Sequence, residues 1–203
     1  QLVELAPALC RDYPGLRILI VGGGGAFEPL KAQAEEVNRK LGRPCVILTG
    51  PRTDVNQLVA ACQLFVGVSR AALEAMAACK PVVLSGAQGH TGLFCPELLD
   101  KAVDTNFCCR TDPVATPEQL QADLLRALAL SPDQAKDLGD YGRRVVQERY
   151  SVHRMADDCL AVYDQVRRPF HVVMSGYYGF SNAGDDAILE AIQQAIHEAS
   201  DDI

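Results

Sequence analysis

Ser69, Arg70 and Glu74 are the residues whose types and spacing best suit binding chemistry. They follow one apolar run, Phe65-Val66-Gly67-Val68, and precede another, Val82-Val83-Leu84. That order reads as a buried strand, a tight turn, a short helix and a second buried strand. Ser69 is expected to cap the helix by accepting from a first-turn N–H group. The unpaired N–H groups of that turn, with the helix dipole, favour an anion. Glu74 is the only acid between residues 65 and 86, one helical turn beyond Ser69. A diphosphate on the amides and ribose hydroxyls on the carboxylate would suit a nucleotide. The same residues would also serve a plain βαβ unit with a surface glutamate, because such turns recur in α/β folds.

Other residues extend the list of candidates. Gly22, Gly23, Gly24 and Gly25 follow the apolar run Leu16-Arg17-Ile18-Leu19-Ile20-Val21 and precede a helical pattern. Glycines in that place let a backbone approach a ligand closely, but no dinucleotide fingerprint or P-loop lysine accompanies them. Arg52 could reach a diphosphate or be a solvated loop charge. His90, in Ala87-Gln88-Gly89-His90-Thr91-Gly92, is expected to leave the carboxyl end of a parallel strand, where open α/β sheets bind ligands. It is thus a candidate contact to sugar or phosphate, or a simple turn residue. Asp185 and Asp186 could act as an acid–base pair, or favour a helix N-terminus through the dipole.

The elements that position these residues follow from periodicity. Helices are expected over about Leu2 to Arg11, Phe27 to Leu41 (ending at Gly42), and from Asp54 to Cys62, with Asp54 and Gln57 as a capping box. Pro44 to Leu48 reads as a strand, and Thr105 to Arg110 as a last short one. Thr116-Pro117-Glu118-Gln119 and Ser131-Pro132-Asp133-Gln134 both pair a capping box with proline at the first helical position. Helices are expected after them, and another over about Val152 to Arg167. Arg167-Arg168-Pro169-Phe170 reads as a linker. A strand at His171 to Ser175 and a helix from about Ala187 to Ala199 then start a new βα unit.

The run Glu74-Ala75-Met76-Ala77, followed by Lys80-Pro81-Val82-Val83, resembles the donor-site segment of GT-B glycosyltransferases that use nucleotide-sugars. The resemblance spans about residues 1 to 165, the C-terminal half of such an enzyme, and Gly142-Arg143 through Tyr150-Ser151 resembles its helical end. It implies an α/β fold: a Rossmann-like parallel sheet with helices on both faces. It also implies that Gly22 to Gly25, Ser69, Arg70, Glu74 and His90 meet the nucleotide-sugar donor, with Glu74 on the ribose and His153 structural. Many retaining members carry a second glutamate eight residues before the first, where Val66 stands here. That departure leaves the stereochemical outcome open. It also leaves room for a degenerate, non-catalytic module that binds a nucleotide or a partner.

From residue 169 onward, Gly176-Tyr177-Tyr178-Gly179 with Asn182, Gly184 and Asp185 resembles the opening of polysaccharide pyruvyl transferases. Residues 1–168 are therefore expected to be a donor-binding domain, and 169–203 the truncated start of a phosphoenolpyruvate-dependent second enzyme. Joint action would lie in cell-envelope polysaccharide synthesis, on a polysaccharide or lipid-linked acceptor. Peripheral membrane association of the full-length enzyme and a homodimer through the apolar tail are compatible with this.

Composition sets the outer bounds. Of 203 residues, 48% are apolar and 22% charged, the profile of a globular domain. The net charge is -7 with no basic block, which argues against nucleic acid as a partner. No apolar run approaches the about 20 residues of a membrane span, and no signal peptide is visible. The chain begins at Gln1 in mid-pattern, as a piece of a longer polypeptide would. Eight cysteines lack metal-ligand spacing, and most sit in apolar runs, so buried, reduced thiols in a cytoplasmic protein are expected. No metal or resident cofactor is expected, and no catalytic residue is assigned.

Overall fold

The computed structural model describes residues 1–166 and 183–201. It divides into two compact units, residues 1–155 and 156–203. The chain is α/β. In order run α1 (Leu2–Asp12), β1 (Ile18–Val21), α2 (Phe27–Leu41), β2 (Val46–Gly50), α3 (Val55–Ala61), β3 (Phe65–Gly67) and α4 (Ser69–Ala77). Next come β4 (Val82–Gly86), β5 (Gly89–Leu93), a short 3-10 turn (Pro96–Leu98), α5 (Leu99–Asp104), α6 (Pro117–Leu128), α7 (Pro132–Arg149), α8 (Val152–Val166) and α9 (Ala183–Asp201).

β1 and β2 pair in parallel, with Ile18 opposite Val46 and Ile20 opposite Leu48. β3 and β4 also pair in parallel, with Phe65 opposite Val82. β5 returns antiparallel along β4 as a hairpin. β4 explains why its sequence is apolar without alternation. Val83 joins a core with Leu5 and Leu9 of α1, Ile18 of β1 and Leu120 and Leu124 of α6. Val82 and Leu84 face the other way, into a core with Ala72, Ala75 and Met76 of α4, Phe94, Phe107 and Val145 of α7. Successive side chains of a strand point to opposite faces, so a strand covered by helices on both faces must be apolar throughout.

Sequence signals place several helix ends. Thr116 and Ser131 each complete a capping box with Gln119 and Gln134, and both helices begin with proline. α2 ends where Gly42 takes a left-handed conformation at φ +66°. Asn38, on the last turns of α2, had no such signal. Its Oδ1 accepts from the Cys45 and Val46 amides at 2.9 and 2.8 Å, and its Nδ2 donates to the Val46 carbonyl. It thereby fixes where β2 starts.

Three local expectations are corrected. Residues 105–110 are not a strand: Asn106, Phe107 and Cys109 all have positive φ, forming a tight left-handed turn. The strand lies earlier, at β5, because two glycines allow the hairpin back onto β4. Asp54 does not cap α3 through its side chain. Its carboxylate is engaged by the Arg52 guanidinium at 2.7 Å instead. Finally, Cys10 of α1 and Cys45, 35 residues apart, bring their sulfurs together in the first core. Sequence spacing carries no record of that packing. Among the remaining cysteines, Cys108 and Cys109 are buried, but Cys159 on α8 is exposed.

Candidate functional site

Gly22 to Gly25 follow the carboxyl end of β1, and Ser69 and Arg70 that of β3. Beyond β1, the Gly22 amide donates to the Gly50 carbonyl at 3.0 Å, tying the exits of β1 and β2 together. Gly22 and Gly24 have φ of +128° and +122°, a conformation that side chains rarely adopt. A Cβ added at either would meet nothing within 4 Å, so this loop borders open space. Gly23, Gly24 and Gly25 are exposed.

Beyond β3 the chain turns sharply into α4. Ser69 does not cap this helix. Val68 occupies the cap position, and no side chain makes a capping bond. Ser69 is instead the first helical residue, held at φ +57°, and its amide donates to the Phe107 carbonyl at 2.8 Å. The next two amides, of Arg70 and Ala71, precede any carbonyl that the helix can offer them. Arg70 and Glu74 lie one turn apart on the exposed side of α4, and neither makes an ion pair among the described residues. A free guanidinium and a free carboxylate at this spacing can hold a phosphate and a diol at once.

α7 holds α4 in place. A Cβ at Gly139 would lie 2.1 Å from the Cys79 carbonyl oxygen, and one at Gly142 would lie 3.2 Å from Met76. The two glycines let the helices approach until Met76 is fully buried. The β4–β5 hairpin closes against the same region. Gly86 leaves room for Val68, and Gly89 packs directly on the Cys109 carbonyl.

His90 is directed elsewhere. It pairs with Ser85 in the hairpin register, and its Nε2 lies 2.8 Å from Asp123 Oδ2 on α6. A carboxylate accepts only, so Nε2 carries the proton, and the buried Nδ1 has no partner. With 9% of its side chain exposed, His90 fastens β5 to α6. The segment leaves the carboxyl end of β4, a parallel strand as expected, but His90 itself sits on β5, the antiparallel return strand. Beside it, Thr91 donates to Asp112 at 2.7 Å and Lys101 pairs with the same carboxylate at 2.6 Å. Burial alone would raise the Asp112 carboxyl, but the Lys101 and Thr91 hydrogen bonds and the nearby cationic charge hold it below the ordinary aspartate range. Arg52 is likewise engaged, by Asp54, whose carboxyl this pairing holds low. Sequence reasoning missed Asp123 and Phe107, since neither partner is near in sequence.

Val66 packs against the first core. Of the candidates near the C-terminus, Asn182 lies outside the described residues, as does the expected strand at 171–175. Gly184 and Asp185 fall in the first turn of α9. On that helix Ile188 and Ile192 are exposed. Burial pushes up the Cys62 and Cys95 thiols, Cys95 also through Glu97, which disfavours thiolate chemistry. No described helix is long and apolar enough to cross a membrane.

Comparison with known proteins adds three findings. No curated protein matches the chain. Among solved structures, Anabaena Alr3699/HepE in complex with UDP shares the fold, with a TM-score of 0.57 and 22% identity over 81% of this chain. The chain spans only 45% of that protein's length. The sequence family described as glycosyl transferases group 1 matches residues 1–129, the stretch holding both glycine-rich and α4 segments. The chain belongs to the glycosyl transferases group 1 family.

Proposed function

We propose that residues 1–168 are the donor-binding part of a glycosyltransferase that moves a sugar from a nucleotide-sugar to a hydroxyl. The observation that carries this reading is the unpaired Arg70 and Glu74 on the exposed side of α4, in a chain of the glycosyl transferases group 1 family. Glu74 would take the ribose hydroxyls of a UDP- or GDP-sugar. Arg70 and the first-turn amides of α4 would take the diphosphate, whose growing charge as the sugar departs is what such donors stabilise. Gly22 to Gly25 would give the donor its close approach, and Ser69 would shape the turn. UDP is the first ligand to try, because the solved neighbour was crystallised with it.

Residues 169–203 would open a polysaccharide pyruvyl transferase, with Asn182, Gly184 and Asp185 at its first βα turn and phosphoenolpyruvate as its substrate. The two activities together would modify a cell-envelope polysaccharide or its lipid-linked precursor at the cytoplasmic face. In that setting the full-length enzyme would associate peripherally with the membrane, and the exposed Ile188 and Ile192 would support a homodimer.

Incubating the full-length gene product with labelled nucleotide-sugar and acceptor lipid extract tests the proposal: it predicts label transfer. Val66 favours a second reading, a non-catalytic nucleotide-binding module. That reading predicts UDP binding without any transfer.

A further inference from the structure

Four of the five non-glycine residues with positive φ among the described residues meet at one place. Ser69 is at +57°, Asn106 at +51°, Phe107 at +58° and Cys109 at +59°. The first belongs to the entry of α4 and the other three to the turn after α5. One hydrogen bond joins them, from the Ser69 amide to the Phe107 carbonyl. Left-handed residues without glycine persist only where their surroundings over-determine them.

The surroundings of this turn do so. Phe107 is wholly buried, edge-on to Phe94 at 5.5 Å and to Tyr150 at 5.8 Å between ring centroids. Its amide donates to Ala102 at 2.7 Å. Thr105 is the buried polar residue of the described chain, 8% exposed. Its hydroxyl donates back to the Ala102 carbonyl and accepts from the Cys109 amide at 3.2 Å, closing the turn from inside. Thr105, Phe107, Cys108 and Cys109 are buried, and only Asn106 of the turn is exposed. The Phe107 carbonyl is aimed at Ser69, the residue from which α4 departs.

We infer that the Thr105–Cys109 turn is a positioning element for the donor site, with Thr105 as its key side chain. By fixing Ser69 in the left-handed conformation it sets the direction in which α4 leaves β3. That direction decides where Arg70 and Glu74 stand. Thr105 touches no ligand and acts through α4. The inference rests on the proposal that Arg70 and Glu74 hold a nucleotide donor.

UDP titration calorimetry on the full chain tests it, with wild type, Thr105→Val, Thr105→Ser and the Glu74→Ala background. Valine keeps the shape of threonine and removes both hydrogen bonds. The expected result is at least fivefold weaker UDP binding for Thr105→Val and wild-type affinity for Thr105→Ser. In the Glu74→Ala background, Thr105→Val should cost much less, because neighbours acting through one group are not additive. A residue that only supports the fold would lower the melting temperature and leave the dissociation constant of the folded protein unchanged. Wild-type affinity in Thr105→Val, or full additivity with Glu74→Ala, overturns the inference while leaving the donor reading intact. Failure of wild type to bind UDP overturns both. Should Thr105→Val not fold, amide exchange on wild type decides. UDP should slow exchange at 105–109 as well as at 69–72, and slowing confined to 69–72 contradicts the positioning role.

Discussion

Asp112 illustrates how single charges near the hairpin are settled. Its side chain is 9% exposed, and Thr91 and Lys101 both donate to it. Because its carboxyl is held below the ordinary value of 3.8, the stabilisation is complete above that value. It fades as pH falls from there through the lower folded value. Asp112→Asn is expected to cost about 1 kcal/mol at neutral pH, since the lysine partner is partly solvated. Denaturant melts of both proteins from pH 7 down to acid should converge below the ordinary aspartate range. A gap that persists or widens there would show that the charge is not the source. Glu74 and Arg70 present the opposite case, because their charges have no ion-pair partner among the described residues.

Helices α4 and α7 carry the argument at the level of elements. Gly139→Ala would drive a methyl into the Cys79 carbonyl, and backbone cannot step aside as a side chain can. Overpacking of this kind costs about 1–3 kcal/mol. The expected outcome is a lower thermal midpoint, with UDP binding weakened if α4 tilts. An unchanged midpoint would mean that the helices do not pack as described. At this scale local chemistry was legible in sequence. The two capping boxes at Thr116 and Ser131, the glycine end of α2 and the strand–turn–helix around Ser69 all announce themselves through neighbours in the chain. What sequence did not disclose depends on partners far apart. The left-handed turn at 105–109 looked like a strand, because an apolar Phe-Cys-Cys run does not encode positive φ. The His90–Asp123 pair spans 33 positions, and the serine taken for a cap is held by a carbonyl 38 residues away. The proposed donor contact at Glu74 was legible through motif resemblance, whereas the packing that supports α4 was not.

At the scale of the whole molecule, both apolar cores of the described residues draw only on residues up to Tyr150. A chain ending at Arg168 is therefore expected to fold and to keep its melting temperature within about 2 °C, since a loss of 1 kcal/mol would shift it by about 2–4 °C. Collapse of that shorter protein would place residues beyond 168 in the first unit's core. The two cores cover β4 from both faces, and the carboxyl ends of β1 and β3 are where α/β folds bind ligands. The central claim is that α4 presents Glu74 and Arg70 to a nucleoside diphosphate at one of those ends. Calorimetric titration of UDP into wild type and Glu74→Ala tests it most directly. Loss of charge-assisted hydrogen bonds to the ribose predicts a penalty of about 2 kcal/mol, roughly thirtyfold in affinity. Equal dissociation constants for the two proteins would contradict the account.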